Sequence, residues 1–243
     1  MRRRSKLFAF TAGALALAYV GSRAVRSAPA EALSYGTGGC GKLDGGVALR
    51  CTGDNFESGA ALSCWLGRNY LHPLVAATVV DAYAALKASH RERAVRWQYG
   101  ETGYEHGGRF RPHRTHQNGL AADFFMPLQT ADGSAASMPI SIWNKMGYGN
   151  EFDAQGKMGE WRIDEALIAD HLLALASAGA AHQVRIERII VTPDFHAKLF
   201  AGRPDLKVLL PLFMKQEAWV RHDEHYHVDF AIPEPLRRPL RCS

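Results

Sequence analysis

The residues whose types and spacing favour metal chemistry lie in two short segments of this 243-residue chain. The first segment, residues 107–125, has the sequence GGRFRPHRTHQNGLAADFF and contains His113, His116 and Asp123. Asp123 is the one charged residue of an apolar run, and a carboxylate in such a run needs a partner. We therefore expect this segment to contribute to a functional site.

The second segment, residues 221–232, has the sequence RHDEHYHVDFAI. His225 and His227 stand two positions apart in a run of strand-forming residues, so their side chains point to one face. Together the two segments offer His116, Asp123 and His227, a set of two nitrogen ligands and one oxygen ligand. Such a set suits zinc and leaves a fourth position open for water. The sequence thus predicts one Zn2+ per chain.

The other histidines of the two segments are candidates for catalysis. His225 adjoins the last ligand on the same strand face, which favours a role as general base. His222 and His113 have two open interpretations, stabilising a developing oxyanion or only hydrogen bonding within the site. The sequence contains no H-E-x-x-H, G-x-S-x-G or S-x-x-K motif. Water activated by a metal, with histidine as base, is the chemistry that these residues support.

Helical and strand-like patterns alternate without a regular βαβ repeat. Helices are predicted at residues 73–89 and 164–178, the second ending at Gly179, and Asp194 is predicted to cap a short helix that runs to about residue 201. Strands are predicted at residues 94–99, around Asp123, at 186–191 and around His227. These elements predict a single α+β domain with a mainly antiparallel central sheet that carries the zinc ligands, flanked by helices and long loops.

Two irregular stretches complete the predicted domain. The glycine-rich residues 33–70 favour loops and a short hairpin wrapped around the core. Residues 129–160 form a long irregular stretch that either walls part of the cleft or is an insertion without a role in the site.

The first thirty residues have the composition of an export leader. Four basic residues precede an uncharged run, residues 7–20, which is shorter than the roughly 20 residues that span a bilayer. We expect residues 1–30 to be a signal peptide or an N-terminal anchor and residues 31–243 to form the domain with the predicted metal site. Cleavage after SAPA would release the exported protein, whereas retention would leave a membrane tether through residues 7–20.

Cysteine count and charge limit the class of protein further. Four cysteines in an exported chain predict two disulfides. Of the three pairings, we favour Cys51 with Cys64 and Cys40 with Cys242, although the other two stay open. Removing residues 1–30 takes away six positive charges and no acidic residue, which changes the net charge from +5 to −1. The remaining chain therefore has no basic excess of the kind that binds nucleic acid.

The two histidine segments resemble a known family. HRTHQNGLAADF and RHDEHYHV are similar to the signatures of the penicillin-insensitive murein endopeptidases, which belong with lysostaphin-type enzymes, D-Ala-D-Ala peptidases and the hedgehog signalling domain. SYGTGGCGKLDGG, RNYLHP and RIIVTPDFHAKL resemble further family segments in the same order. The resemblance implies zinc held by His116, Asp123 and His227, His225 as the catalytic histidine, and His222 and His113 also in the site.

The resemblance also implies a periplasmic enzyme that cuts peptide cross-links in peptidoglycan and is insensitive to penicillin. One alternative is a carboxypeptidase or dipeptidase that acts on D-Ala-D-Ala termini. Another is a non-catalytic, zinc-stabilised binding domain of the hedgehog type. His222 and His225 argue against the last alternative, because a structural zinc needs neither of them.

Overall fold

The structure is a computed structural model that describes residues 31–242. Its helices are α1 (Ala61–Trp65), α2 (Pro73–Ser89), α3 (Glu165–Ala181) and α4 (His196–Phe200). Short 3-10 helices cover Ile142–Gly147, Pro193–Phe195, Asp205–Leu212 and Glu234–Leu236. The strands are β1 (Leu33–Thr37), β2 (Cys40–Asp44), β3 (Val47–Ala48), β4 (Phe56–Ser58), β5 (Tyr70–Leu71), β6 (Trp97–Tyr99), β7 (Ala121–Phe125), β8 (Leu128–Gln129), β9 (Ala135–Ala136), β10 (Lys157–Met158), β11 (Trp161–Ile163), β12 (Arg185–Ile190), β13 (His225–Ala231) and β14 (Arg237–Arg238).

A five-stranded sheet with the order β12-β13-β7-β6-β4 forms the centre of the domain. Its pairs are antiparallel except for β4 with β6. Smaller sheets with the orders β14-β1-β2, β10-β11-β8-β9 and β3-β5 surround it. The α+β prediction with a mainly antiparallel central sheet is confirmed.

Helices α2 and α3 pack against each other and contribute to the core. The predicted helix at residues 73–89 is confirmed at both ends, and the backbone N–H of Leu74 donates a hydrogen bond to the ring of its N-cap, His72. Asp164 caps α3 in the same way, accepting from the backbone N–H of Leu167. These caps satisfy donors that the first helical turn would otherwise leave free.

Helix α3 continues past Gly179, where the sequence predicted its end. A Cβ at this position would lie 2.7 Å from the Val184 carbonyl oxygen. The glycine therefore permits a close approach between the helix and the segment that follows it. It does not terminate the helix.

Three other local predictions need correction. The strand predicted at residues 94–99 is shortened to Trp97–Tyr99, because its partner β4 has only three residues to pair with it. The strand predicted at 186–191 begins and ends one residue earlier, opposite Ala231 and His227. Asp194 is not a cap, because it lies inside a 3-10 helix whose N-cap is Thr192, and the Thr192 side chain makes no capping hydrogen bond.

Two disulfides join the pairs of cysteines that the sequence analysis favoured. Cys40 and Cys242 are bonded with their Cα atoms 6.1 Å apart, and Cys51 and Cys64 with theirs 5.9 Å apart. The first bond connects β2 to the end of the described chain. No helix within residues 31–242 has the length and apolar character of a membrane span, and the tether predicted at residues 7–20 lies outside the described residues.

Candidate metal centre

Strands β7 and β13 bring the two histidine segments together. Asp123 lies directly opposite His227 in the antiparallel ladder, and His225 lies opposite Phe125. Residues two apart on a strand point to the same side, so Asp123, His225 and His227 share one face of the sheet. The central strands thus position three of the six predicted site residues.

Asp123 lies at the centre of the site and is fully buried. Its Oδ1 atom is 2.8 Å from His227 Nδ1 and 3.3 Å from His116 Nε2. Its Oδ2 atom is 3.7 Å from His113 Nδ1 and 3.8 Å from His225 Nε2. Burial alone would raise the pKa of Asp123, but the neighbouring histidines outweigh it and hold this pKa well below its usual value. Four predicted histidines therefore surround one carboxylate.

His116 has one ring nitrogen fixed and the other free. Its backbone φ is 67°, in the left-handed region, and a residue other than glycine keeps this strained backbone conformation only if the surrounding structure holds it. Nδ1 donates to the Thr102 carbonyl oxygen at 3.2 Å, so Nε2 carries the lone pair. Nε2 is buried and has no hydrogen-bond partner among residues 31–242. An unpartnered nitrogen aimed at a carboxylate is a natural metal ligand.

One pair of donor atoms, on His116 and Asp123, has the spacing that a tetrahedral zinc requires. Ligand atoms about 2.0–2.2 Å from a tetrahedrally bound zinc stand roughly 3.3–3.5 Å apart. The 3.3 Å distance from His116 Nε2 to Asp123 Oδ1 falls in this range. His113, His116 and Asp123 each offer one ligand atom, and these three atoms lie within 4.8 Å of one another, so this group could hold a metal ion.

His227 is fixed from behind by a carboxylate that sequence reasoning had not assigned to the site. Asp229 Oδ1 lies 3.0 Å from His227 Nε2, and Arg188 donates to Asp229 Oδ2 from Nε at 2.7 Å. Burial opposes a charged imidazole, yet Asp229 and Asp123 raise the pKa of His227 to about 9. A carboxylate behind a histidine is the usual support of a histidine that binds a metal. Its spacing of two residues from His227 was the available sequence signal.

His225 and His222 lie beside each other on the same side of the sheet, with ring centroids 4.6 Å apart. His225 Nδ1 contacts Glu224 Oε1 at 3.0 Å. Burial opposes its charged form, but Asp123 and Glu224 raise the pKa of His225 above its ordinary value. Burial and the neighbouring His225 lower the pKa of His222 to about 4. The two rings therefore differ in the protonation state that they favour.

His113 approaches Oδ2 of Asp123, as His225 does. Its Nε2 atom is 3.8 Å from Glu101 Oε2, and burial lowers the pKa of His113 to about 3. Glu101 itself accepts hydrogen bonds from Arg68 and from the Ser63 hydroxyl. His113 is thus held neutral between two carboxylates at neutral pH.

Tyr148 is a site residue that sequence reasoning missed. Its hydroxyl donates to Asp123 Oδ2 at 3.0 Å and accepts from the Glu101 backbone N–H at 2.9 Å. Burial first, and then the charge of Asp123, raises the pKa of Tyr148 well above its ordinary value. It belongs to the irregular stretch 129–160, where no periodic pattern marked it.

A cleft of about 520 Å³ opens over these residues. Five of the six predicted site residues line it, and His116 lies beneath them, fully buried. Residues 145, 146 and 148 form part of one wall, which favours the first of the two interpretations of the stretch 129–160. The remaining wall includes apolar side chains, among them Leu62, Leu66, Trp219 and Val220.

One of two comparisons with known proteins identifies a family. A search of curated protein sequences finds no match to the chain. The family model described as penicillin-insensitive murein endopeptidase matches residues 34–238 and so spans β1 to β14. That family acts on murein, the polymer of the cell wall, and its substrate lies in the periplasm or outside the cell. The chain therefore belongs to the family of penicillin-insensitive murein endopeptidases and is a peptidase of the cell wall.

Proposed function

We propose that the chain is a zinc metallo-endopeptidase that hydrolyses the D-alanyl amide cross-links of peptidoglycan without a covalent intermediate. The observation that carries this proposal is the convergence of His116 Nε2 and His227 Nδ1 on one oxygen of Asp123, at 3.3 and 2.8 Å. The family membership supplies the substrate class.

The two oxygens of Asp123 separate the proposed ligands from the proposed catalytic residues. His116 and His227 approach Oδ1, whereas His113 and His225 approach Oδ2, which also accepts from Tyr148. We assign the first two histidines and Asp123 as ligands. His113 is the alternative third ligand, because its nitrogen also lies within 4.8 Å of the other two donor atoms.

A zinc ion held by these ligands would lower the pKa of bound water to about 7 and polarise the scissile carbonyl. In the proposed reaction, His225 takes the proton of the attacking water and passes it to the leaving amine. Glu224, 3.0 Å from Nδ1, stabilises the imidazolium that forms between these transfers. Because no side chain is acylated, penicillin has no nucleophile to trap.

His222 and His113 take different parts in the proposed reaction. His222 Nδ1 donates to the Val220 carbonyl at 2.7 Å, so the neutral ring presents Nε2 as an acceptor. An acceptor nitrogen can bind a hydrogen of water or of an amine, but it has no hydrogen to donate to an oxyanion. We therefore assign the oxyanion to His113, whose ring has no tautomer fixed by a carbonyl and lies beside the cleft.

The proposed place of action is the periplasm, in keeping with a substrate in the cell wall. Residues 1–30 would direct export, and a tether through residues 7–20 remains the alternative to cleavage.

The test is the conversion of purified cross-linked muropeptide dimers to monomers, followed by mass spectrometry. We expect cleavage to continue with penicillin present, to stop with a zinc chelator and to return when zinc is restored. His225→Ala should abolish it, whereas His182→Ala, at a surface ion pair with Asp81, should not.

Stoichiometric inhibition by penicillin, or undiminished cleavage after verified zinc removal, would refute the proposed mechanism. Removal of a terminal D-Ala with the dimers left intact would instead favour a carboxypeptidase.

A further inference from the structure

The loop that carries His113 and His116 has exposed arginines between its buried residues. Arg109, Arg111 and Arg114 are exposed, whereas Phe110 and His116 are fully buried. Within residues 31–242, none of these three arginines forms an ion pair with a carboxylate. Three unpaired charges so close together are unusual in a domain whose predicted net charge is −1.

The loop is held in place without using these arginine side chains. The Phe110 ring packs against Tyr104 with centroids 4.7 Å apart, and the Arg68 guanidinium lies 4.0 Å above the Phe110 ring. Arg68 also donates to the Arg111 carbonyl oxygen at 3.0 Å and binds Glu101. The three exposed guanidinium groups are therefore presented by a fixed backbone and are free to bind a ligand.

A depression of about 660 Å³ lies between these arginines and the turn after β1. Gly39 forms the opposite wall, where a Cβ would lie 3.3 Å from the Arg114 carbonyl oxygen. In the described part of the chain, the lining residues include no acidic side chain; they are Gly39, Arg109, Arg111, Pro112, His113, Arg114 and Gln117. The depression is thus positively charged. Gly39, on its far wall, has no side chain that could compete with a ligand for the arginines.

The depression adjoins the cleft of the candidate site. Arg111, Pro112 and His113 line both cavities. A peptide that extends from the proposed scissile bond past His113 would therefore reach the arginines.

We propose that Arg109, Arg111 and Arg114 form an anion subsite that binds a free carboxylate of the stem peptide next to the cleaved cross-link. This inference rests on the proposed function, which makes the substrate a peptide with free carboxylates. The guanidinium fork matches a carboxylate in a bidentate arrangement. A chain of neutral peptide groups would gain nothing from three unpaired arginines, whereas an acidic stem would.

The test compares two cross-linked dimers, one with free carboxylates and one with every carboxylate amidated. The variant replaces Arg109, Arg111 and Arg114 together by glutamine, which keeps polarity and removes charge. We expect KM for the free-carboxylate dimer to rise about tenfold, because exposed ion pairs are individually weak. kcat should change less than about twofold. The triple substitution should not raise KM for the amidated dimer. High salt should weaken binding of the free-carboxylate dimer to the wild type.

The matched control removes three charges elsewhere. Arg50, Arg91 and Arg162 are exposed, and their side chains make no ion pair within residues 31–242. Their triple glutamine variant should retain the wild-type KM for both dimers. An equal rise in KM for the control, or an equal rise for free and amidated dimers, would overturn the subsite.

Calorimetric titration of the zinc-free protein with both dimers gives a readout that does not need turnover. Free-carboxylate dimers should bind the wild type about tenfold more tightly than the arginine variant, and inorganic phosphate at the same concentration should not displace them. Displacement by phosphate would point to a phosphate-bearing ligand and reject the stem carboxylate. Absence of cleavage by the wild type would refute the proposed function alone, because the titration still decides whether the arginines bind the acidic peptide.

Discussion

Strands β7 and β13 have buried histidine side chains on both of their faces, and the surroundings of these histidines have opposite chemistry. On one face, Asp123 lies between His116 and His227. On the other face, His171 packs against Phe124 and Tyr226, which alternate with the site residues along the same strands. The same ladder therefore supports a polar centre and an apolar core.

The core histidine is held by aromatic rings. His171 stacks on Tyr83 and Trp97 with ring centroids 5.2 Å away in each case, and Nδ1 contacts the Tyr226 hydroxyl. Burial alone lowers the pKa of His171 to about 3. Like His116 Nε2, His171 Nε2 is buried without a hydrogen-bond partner among residues 31–242.

The difference between the faces is the carboxylate. An unpartnered imidazole nitrogen occurs on both sides, so this feature alone does not indicate a metal site. Only His116 directs its free nitrogen at a carboxylate oxygen that a second imidazole also approaches. Burial keeps an isolated histidine neutral, whereas a carboxylate shared by several histidines gives a group of donor atoms that could hold a metal ion.

The largest expected effect follows from removing the shared charge. Asp123→Asn keeps the shape of the side chain but should lower zinc affinity more than about hundredfold, because changes behind a ligand already cost 10- to 100-fold. Cleavage should fall to background. Competition with a zinc-binding dye measures the affinity. His171→Leu is the control on the opposite face, and an Asp123→Asn protein that retains wild-type affinity would remove the distinction between the faces.

A smaller loss of zinc affinity is expected when Asp229, which contacts the proposed ligand His227, is changed. Asp229→Asn weakens the contact that supports His227 Nε2 and should lower zinc affinity about 10- to 100-fold. The same dye competition measures it. Arg188→Gln, which leaves the carboxylate in place, should cost less. Equal losses in the two variants would show that the Arg188–Asp229 pair, and not the contact with His227, matters.

On the opposite face, His171→Leu should change stability and leave zinc binding unchanged. The Tyr226 hydroxyl loses its partner, which should lower the free energy of unfolding by about 1–3 kcal/mol. Urea titration measures the loss. The double variant with Tyr226→Phe should recover part of it, because both polar groups are then gone. A double variant less stable than His171→Leu would contradict this interpretation.

The last prediction concerns the stability of the protein in acid. The pKa of His171 is lowered to about 3 in the folded protein, so between pH 6.5 and 3 the unfolded chain binds the extra proton. Stability in this window should fall with decreasing pH, by up to about 1.4 kcal/mol per pH unit from this residue. Urea titrations of zinc-free wild type and His171→Leu should show the shallower dependence in the variant. Parallel curves would mean that His171 is charged in the folded state.

The residues of the centre were predictable because their signals are local. The spacing of His225 and His227 fixes a shared strand face, and an aspartate in an apolar run demands a partner. The pairing of Asp123 with His227 follows once the two strands adjoin. Four of the five strands of the central sheet and both long helices were predictable for the same reason, since each has a local pattern, whereas β4 lies in the stretch 33–70 that was predicted as loops and a short hairpin.

The missed features depend on contacts between distant segments. Tyr148 reaches Asp123 from a stretch without periodicity, and Glu101 approaches His113 only in the folded domain. Gly179 resembled a helix stop, but its role is the close approach of Val184. Local composition does not predict these roles, because it carries no information about the distant residue that each of them contacts.

The central claim is that Asp123 shares a zinc ion with His116 and His227 and that His113 lies beside this set. Elemental analysis of purified His227→Ala and His113→Ala proteins tests it most directly, with circular dichroism to verify folding. The account predicts about one zinc per chain in the wild type and in His113→Ala, and a clear loss in His227→Ala. Full zinc in His227→Ala with loss in His113→Ala would contradict it and assign the metal to His113, His116 and Asp123.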